Sequence, residues 1–84
     1  MGNVRVTVAY FARARECAGI AEESFELTRP ASLKQLLTRV VAVHPAIGEI
    51  KQVLRPLVNG AWVSEEVKLA NGDRVALLPP VGGG

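Results

Sequence analysis

An α+β domain, in which one amphipathic helix covers one face of a mixed β-sheet, is the fold class that the 84-residue sequence predicts. Three observations point to it: apolar alternation from Val4 to Tyr10, a single helical stripe from Leu33 to Val41 behind a capping signal, and Asn-Gly turns at 59–60 and 71–72 beside short apolar runs. With 49% hydrophobic and 21% charged residues, the chain has the composition of one compact unit rather than of a disordered tail protein.

Val4, Val6, Val8 and Tyr10 alternate with Arg5, Thr7 and Ala9, the period of a strand, and place a first strand over residues 3–11. From Phe11 to Gly19 the alternation is lost and the segment ends in glycine, so a loop with a helical turn is expected there. Glu23 to Leu27, with Phe25 and Leu27 on one face, returns as a second strand and completes a hairpin with a wide connection. Ser32 then precedes Leu33, Leu36, Leu37, Val40 and Val41, and Gln35 stands three residues after it, as a capping box requires. This helix runs to Val43, because Pro45 pushes the residue before it away from helical geometry. Ile47, Ile50, Val53 and Leu54 supply apolar contacts in a segment that suits either a second short helix or the start of a strand.

Leu57-Val58 and Ala61-Trp62-Val63 flank Asn59-Gly60, a hairpin signal, since Asn-Gly readily takes the positive φ angles of a tight turn. After Asn71-Gly72, the mostly apolar run Arg74-Val75-Ala76-Leu77-Leu78 suits a strand in the middle of a sheet, and Pro79-Pro80 ends it. The order strand, strand, helix, strand, short strand, strand is that of the β-grasp, or ubiquitin-like, fold. Residues 1–81 are expected to form a single domain of this kind and residues 82–84 a flexible glycine tail.

Composition also excludes function classes. A domain this small has few residues to spare for a deep cleft beside its core, which disfavours a stand-alone enzyme. One cysteine, Cys17, and one histidine, His44, cannot assemble a metal site or a nucleophile–base pair. Ten Lys and Arg against eight Asp and Glu give a formal charge of +2, mixed in sign, so no nucleic-acid partner is expected. No apolar run reaches the length of a bilayer span, and the start of the chain moves directly into alternation, so a cytoplasmic protein with no membrane partner is expected.

The end of the chain is its most informative segment. Gly82, Gly83 and Gly84 carry no side chains and follow the stiff Pro79-Pro80-Val81, so they form a thread able to enter a narrow tunnel with its α-carboxylate sterically open. Activated as an acyl-adenylate, that carboxylate would present a carbonyl to any nucleophile, including a sulfur donor. Gly-Gly alone reads more readily as a frayed end; a buried strand, a proline clamp and a glycine thread in succession reverse that and point to the carrier.

Val8-Ala9-Tyr10-Phe11-Ala12-Arg13-Ala14-Arg15-Glu16 with Gly19, Leu57-Val58-Asn59-Gly60, and Gly72-Asp73-Arg74-Val75-Ala76-Leu77-Leu78-Pro79-Pro80-Val81 with the final Gly83-Gly84 closely resemble the small subunits of molybdopterin synthase, over essentially the whole chain. The thiamine-pathway carriers share the fold and the Gly-Gly but look less like the first and last of these segments. The resemblance implies that an adenylating enzyme related to ubiquitin-activating enzymes uses ATP to adenylylate Gly84, that a sulfur donor protein supplies the sulfur that replaces the adenylate, and that the chain itself binds no cofactor. It implies further that the thiocarboxylate enters the active site of a large synthase subunit, in a heterotetramer, and gives sulfur to a cyclic pterin precursor. Gly82 departs from the threonine common at this place in the family.

The same resemblance places Arg15 in the family's loop pattern, where a guanidinium would pair with carboxylates of a partner, and a solvated surface charge is the alternative reading of it. Phe11 and Leu78 are candidates for an apolar docking surface, although core packing is the expectation for Phe11. Trp62 suits either an interface anchor or cross-strand packing. His44 is expected to interact with the negative end of the helix dipole, and Cys17 to be an inert thiol in the loop. A carrier for thiamine or RNA thiolation, and a passive ubiquitin-like module or protein modifier, are the alternative readings.

Overall fold

The computed structural model describes residues 2–79. Strand β1 (Asn3–Tyr10) leads into helix α1 (Ala12–Ala18), strand β2 (Glu22–Thr28), helix α2 (Leu33–Val43), helix α3 (Pro45–Ile50), a 3-10 turn (Lys51–Val53), and strands β3 (Arg55–Val58), β4 (Ala61–Trp62) and β5 (Arg74–Leu78). The five strands form one sheet in the order β2-β1-β5-β3-β4. β1 pairs antiparallel with β2 and parallel with β5, which makes the sheet mixed and puts the last strand at its centre, as its apolar composition predicts.

One face of the sheet is closed by helices. Val4, Val6, Val8 and Tyr10 from β1, Phe25 and Leu27 from β2, and Val75 and Leu77 from β5 meet Leu33, Leu36, Leu37 and Val40 of α2 and Ile47 of α3 in a single buried core. The capping box at the start of α2 forms as its sequence requires: Gln35 N–H donates to Ser32 Oγ at 3.1 Å, and Ser32 N–H donates to Gln35 Oε1 at 2.8 Å. The open segment after Pro45 resolves as helix and 3-10 turn, with Pro45 at the first helical position, where its missing N–H costs nothing.

The region from Phe11 to Gly19 corrects the sequence reading. It is a seven-residue helix, not a loop, and Cys17 lies on it, half-buried against the core. Alanine, arginine and glutamate favour helix without any stripe. Only Ala14 of α1 is buried, so apolar periodicity carries no signal there. Gly19, at φ 74°, takes the left-handed conformation that ends the helix, and its N–H donates to Arg15 O at 2.8 Å.

Both Asn-Gly turns are tied to the central strands. Asn59 (φ 51°) and Gly60 (φ 85°) make the β3–β4 turn, while Asn59 Oδ1 accepts from Arg74 N–H at 2.9 Å and Asn59 Nδ2 donates to Asp73 Oδ1 at 2.9 Å. Asn71 Oδ1 accepts from Arg5 N–H at 2.8 Å. These bonds fix where β5 enters the sheet, and a slip of one residue would exchange its two faces.

Replacing Ser32 with Ala removes the acceptor of the capping box and should cost about 1 kcal/mol. Leu36→Ala, in the core, should cost about 2–5 kcal/mol. Urea unfolding checks both; a Ser32→Ala midpoint equal to that of the parent would show that the box contributes nothing.

Candidate docking face and tail exit

The face of the sheet away from the helices is where the site is built. Register aligns Glu22, Ala9, Ala76, Leu57 and Trp62 in one row across all five strands. The next row on the same face pairs Leu78 with Arg55. Phe11 continues the β1 ladder beside it, its N–H donating to Leu77 O at 3.3 Å. An apolar strip of Ala76, Leu57, Leu78, Phe11 and Trp62 results. It is bounded by Arg55 at one end and at the other by an ion pair in which Arg74 Nη2 lies 2.9 Å from Glu22 Oε2. Both members of that pair are about half exposed, so it marks the rim of the strip and adds little to stability.

Phe11 is 43% exposed, which overturns the expectation that it packs in the core. The cause is local. Ala12, at φ 50°, takes the left-handed conformation that only glycine adopts freely, and it turns the chain sharply from β1 into α1. Trp62 pairs with Leu57 across β3 and β4 yet remains 60% exposed, so cross-strand packing covers only part of its ring. Two aromatic rings and a leucine beside the last strand make a surface of the kind that partners bury.

Of the site residues expected from sequence, the structure brings Phe11 and Leu78 side by side. Arg15 lies one turn along α1 from Phe11, exposed at the rim of an open groove of about 600 Å³ that includes Glu16 and Ile20. Its guanidinium makes no ion pair among the described residues. Pro79, half-buried, directly follows β5 and is the last described residue. Pro80, Val81, Gly82, Gly83 and Gly84 lie outside the described residues. Leu57 and Ala76 were not legible as site residues, although one signal pointed to Ala76: two of the three outward positions of β5, Ala76 and Leu78, are apolar, more than one helical layer needs.

A second polar cluster lies beneath the sheet and has a structural role. Tyr10 OH donates to Glu23 Oε2 at 2.6 Å, and His44 Nε2 meets the same oxygen, so that nitrogen carries the proton. The His44 ring stands edge-on to Tyr10, with centroids 5.6 Å apart. His44 is the C-cap residue of α2 through its backbone N–H, which donates to Val40 O, while its side chain turns to Glu23 rather than to the helix end and ties that end to β2. Among the described residues no group of three His, Cys, Asp or Glu side chains could hold a metal, and no helix is long and apolar enough to cross a membrane.

The chain is thus a ubiquitin-like body that keeps one sheet face apolar beside its last strand. The chain belongs to the ThiS family, whose model matches residues 8–84. A molybdopterin synthase sulfur carrier subunit from Chlamydomonas reinhardtii is 37% identical over 83 residues, covering 96% of this chain and 100% of the relative. Among solved structures, a molybdopterin converting factor subunit 1 from Pyrococcus furiosus is 35% identical with a TM-score of 0.87, over 93% of this chain and 99% of its own. Small archaeal modifier protein 1 from Haloferax volcanii is 28% identical with a TM-score of 0.83, over 93% and 99%. The complex of subunits 1 and 2 of molybdopterin-converting factor from Helicobacter pylori contains a chain 27% identical with a TM-score of 0.67, over 96% and 100%.

Burial first, then the hydrogen bond to Glu23 and the charge of that carboxylate, raise the Tyr10 phenol well above its ordinary value. A group whose pKa is raised on folding contributes stability that is complete below its unfolded value, about 10, and is lost as pH rises beyond it. Tyr10 is the only tyrosine of the chain. Phenolate absorbance should therefore appear only as the protein unfolds in alkali, and a phenolate signal that precedes the loss of circular dichroism would contradict this placement.

Proposed function

We propose that the chain is the sulfur carrier subunit of a molybdopterin synthase, carrying sulfur on the α-carboxylate of Gly84. The observation that supports this best is the apolar strip beside β5, which would hold the body against a partner while the residues after Pro79 reach into it. A glycine thread offers few side-chain contacts, so ordering it must be offset by docking of the body. The strip stands where that docking would act, and the relatives that carry the same name share almost the full length of the chain.

In this reading an adenylating enzyme binds ATP and the Gly84 carboxylate attacks the α-phosphorus, with pyrophosphate leaving. Sulfur supplied by a donor protein at the sulfide level, as HS⁻, then adds to the acyl carbonyl, AMP leaves with the bond to the adenylate broken, and a thiocarboxylate remains. A large synthase subunit receives that end and supplies the side chains that pass sulfur to the pterin precursor. The chain contributes the carried group and the docking face; Phe11, Leu78 and Trp62 supply apolar contact, and Arg15 pairs with a partner carboxylate. Pro79, Pro80 and Val81 stiffen the approach, and Gly82 and Gly83 keep the thread narrow. The likeness to a small archaeal modifier protein favours a second reading, in which Gly84 is joined to lysines of other proteins.

Intact-mass spectrometry tests the first reading. After incubation with the adenylating enzyme, ATP and a sulfur source, the mass should shift by the exchange of one oxygen for one sulfur, located on Gly84. Isopeptide-linked products without that shift would favour the modifier. Deleting Gly84 should abolish loading and leave folding and most docking intact, whereas unfolding of the shortened chain would count against the division into body and thread. Trp62→Ala should leave stability within about 0.5 kcal/mol while weakening docking on the large subunit by about 2 kcal/mol; unchanged affinity would remove Trp62 from the interface.

A further inference from the structure

β4 pairs only with Leu57 and Val58, so Arg55 and Pro56 of β3 have no strand beside them on that side. A groove of about 700 Å³ opens there, between Trp62, the chain at 63–65 and the 3-10 turn. Pro56 has no N–H to donate, which closes the groove to strand addition and leaves recognition to side chains. Two cations, Lys51 and Arg55, line it against one acid, Glu65. Among the described residues neither cation is engaged in an ion pair. Trp62 supplies an apolar wall that is continuous with the strip on the open face. Because Arg55 stands opposite Leu78, the groove lies beside the point where the chain runs on to residues 80–84.

We infer that this groove docks an acidic segment of the large synthase subunit, with Lys51 and Arg55 pairing with its carboxylates and Trp62 packing against an apolar side chain next to them. The inference rests on the proposed reading of the chain as a docking subunit and adds to it a charge-selective contact at the exit of the thread. Charges at the rim of an interface act mainly on encounter rate, register and partner choice. Here they would set the orientation in which residues 80–84 meet the partner's opening. The apolar strip lacks that information, since it is tolerant of rotation.

Calorimetric titration of the full chain with the purified large subunit, at low and at high salt, tests this. The double reversal K51E/R55E should weaken binding about tenfold at low salt, and the loss should shrink at high salt. The neutral K51Q/R55Q should fall between the reversal and the parent, with circular dichroism unchanged in both. Equal affinity for parent and reversal, or a loss of the same size at both salts, would overturn the inference while leaving the docking reading in place. A loss that vanishes once residues 80–84 are removed would assign the groove to the chain's own end, and self-association abolished by the reversal would assign it to a second copy; either overturns it. A parent chain that loads sulfur but does not bind the large subunit at all would remove the docking reading itself, and this inference with it.

Discussion

The parallel pairing of Thr7–Tyr10 with Arg74–Leu77 joins the first and last strands at the centre of the sheet, and each other element takes its place from that ladder. Val6, Val8, Val75 and Leu77 form the floor on which α2 rests. β2 and β3 attach to the outer sides of the pair, and β4 to β3. The apolar strip exists because the same ladder brings Ala76 and Leu78 between Phe11 on one side and Leu57 with Trp62 on the other. The core and the apolar strip therefore share one register, held by Asn59, Asn71 and Asp73 at the end of the sheet remote from Pro79.

The two faces of the sheet answer different demands. The helical face is closed by aliphatic side chains and by one polar tie, in which Glu23 accepts from both Tyr10 and His44. The open face leaves Trp62 and Phe11 in solvent, at a cost that the closed face must cover. A chain of this size has a small core, so carrying exposed aromatic surface limits how much stability it can hold in reserve.

Much of this architecture was legible in the residues. Val4, Val6 and Val8 named β1 by alternation, Ser32 and Gln35 named the start of α2, and Asn59-Gly60 named the hairpin. Each of these signals is local, and each is confirmed in the same place. Helix α1 was not legible, because it is held by propensity and a glycine cap, with Ala14 alone buried. The row from Ala9 to Trp62 depends on a register shared by four strands, and the tie among Tyr10, Glu23 and His44 joins residues from three elements. In each case the missing information is tertiary. The expectations placed on Pro80 to Gly84 fall outside the described residues, and their support comes from the family and from the face beside them.

The central ladder also dictates an order of assembly. The β1–β2 hairpin closes over a short stretch, whereas Thr7 must find Arg74 across almost the whole chain, so the loop-closure entropy of that encounter is met only when other elements have already drawn the ends together. The last strand then enters a slot between β1 and β3 rather than adding to an edge. Its insertion completes the helical floor and creates the apolar strip in a single event, so an incompletely folded chain has neither the closed core nor that surface.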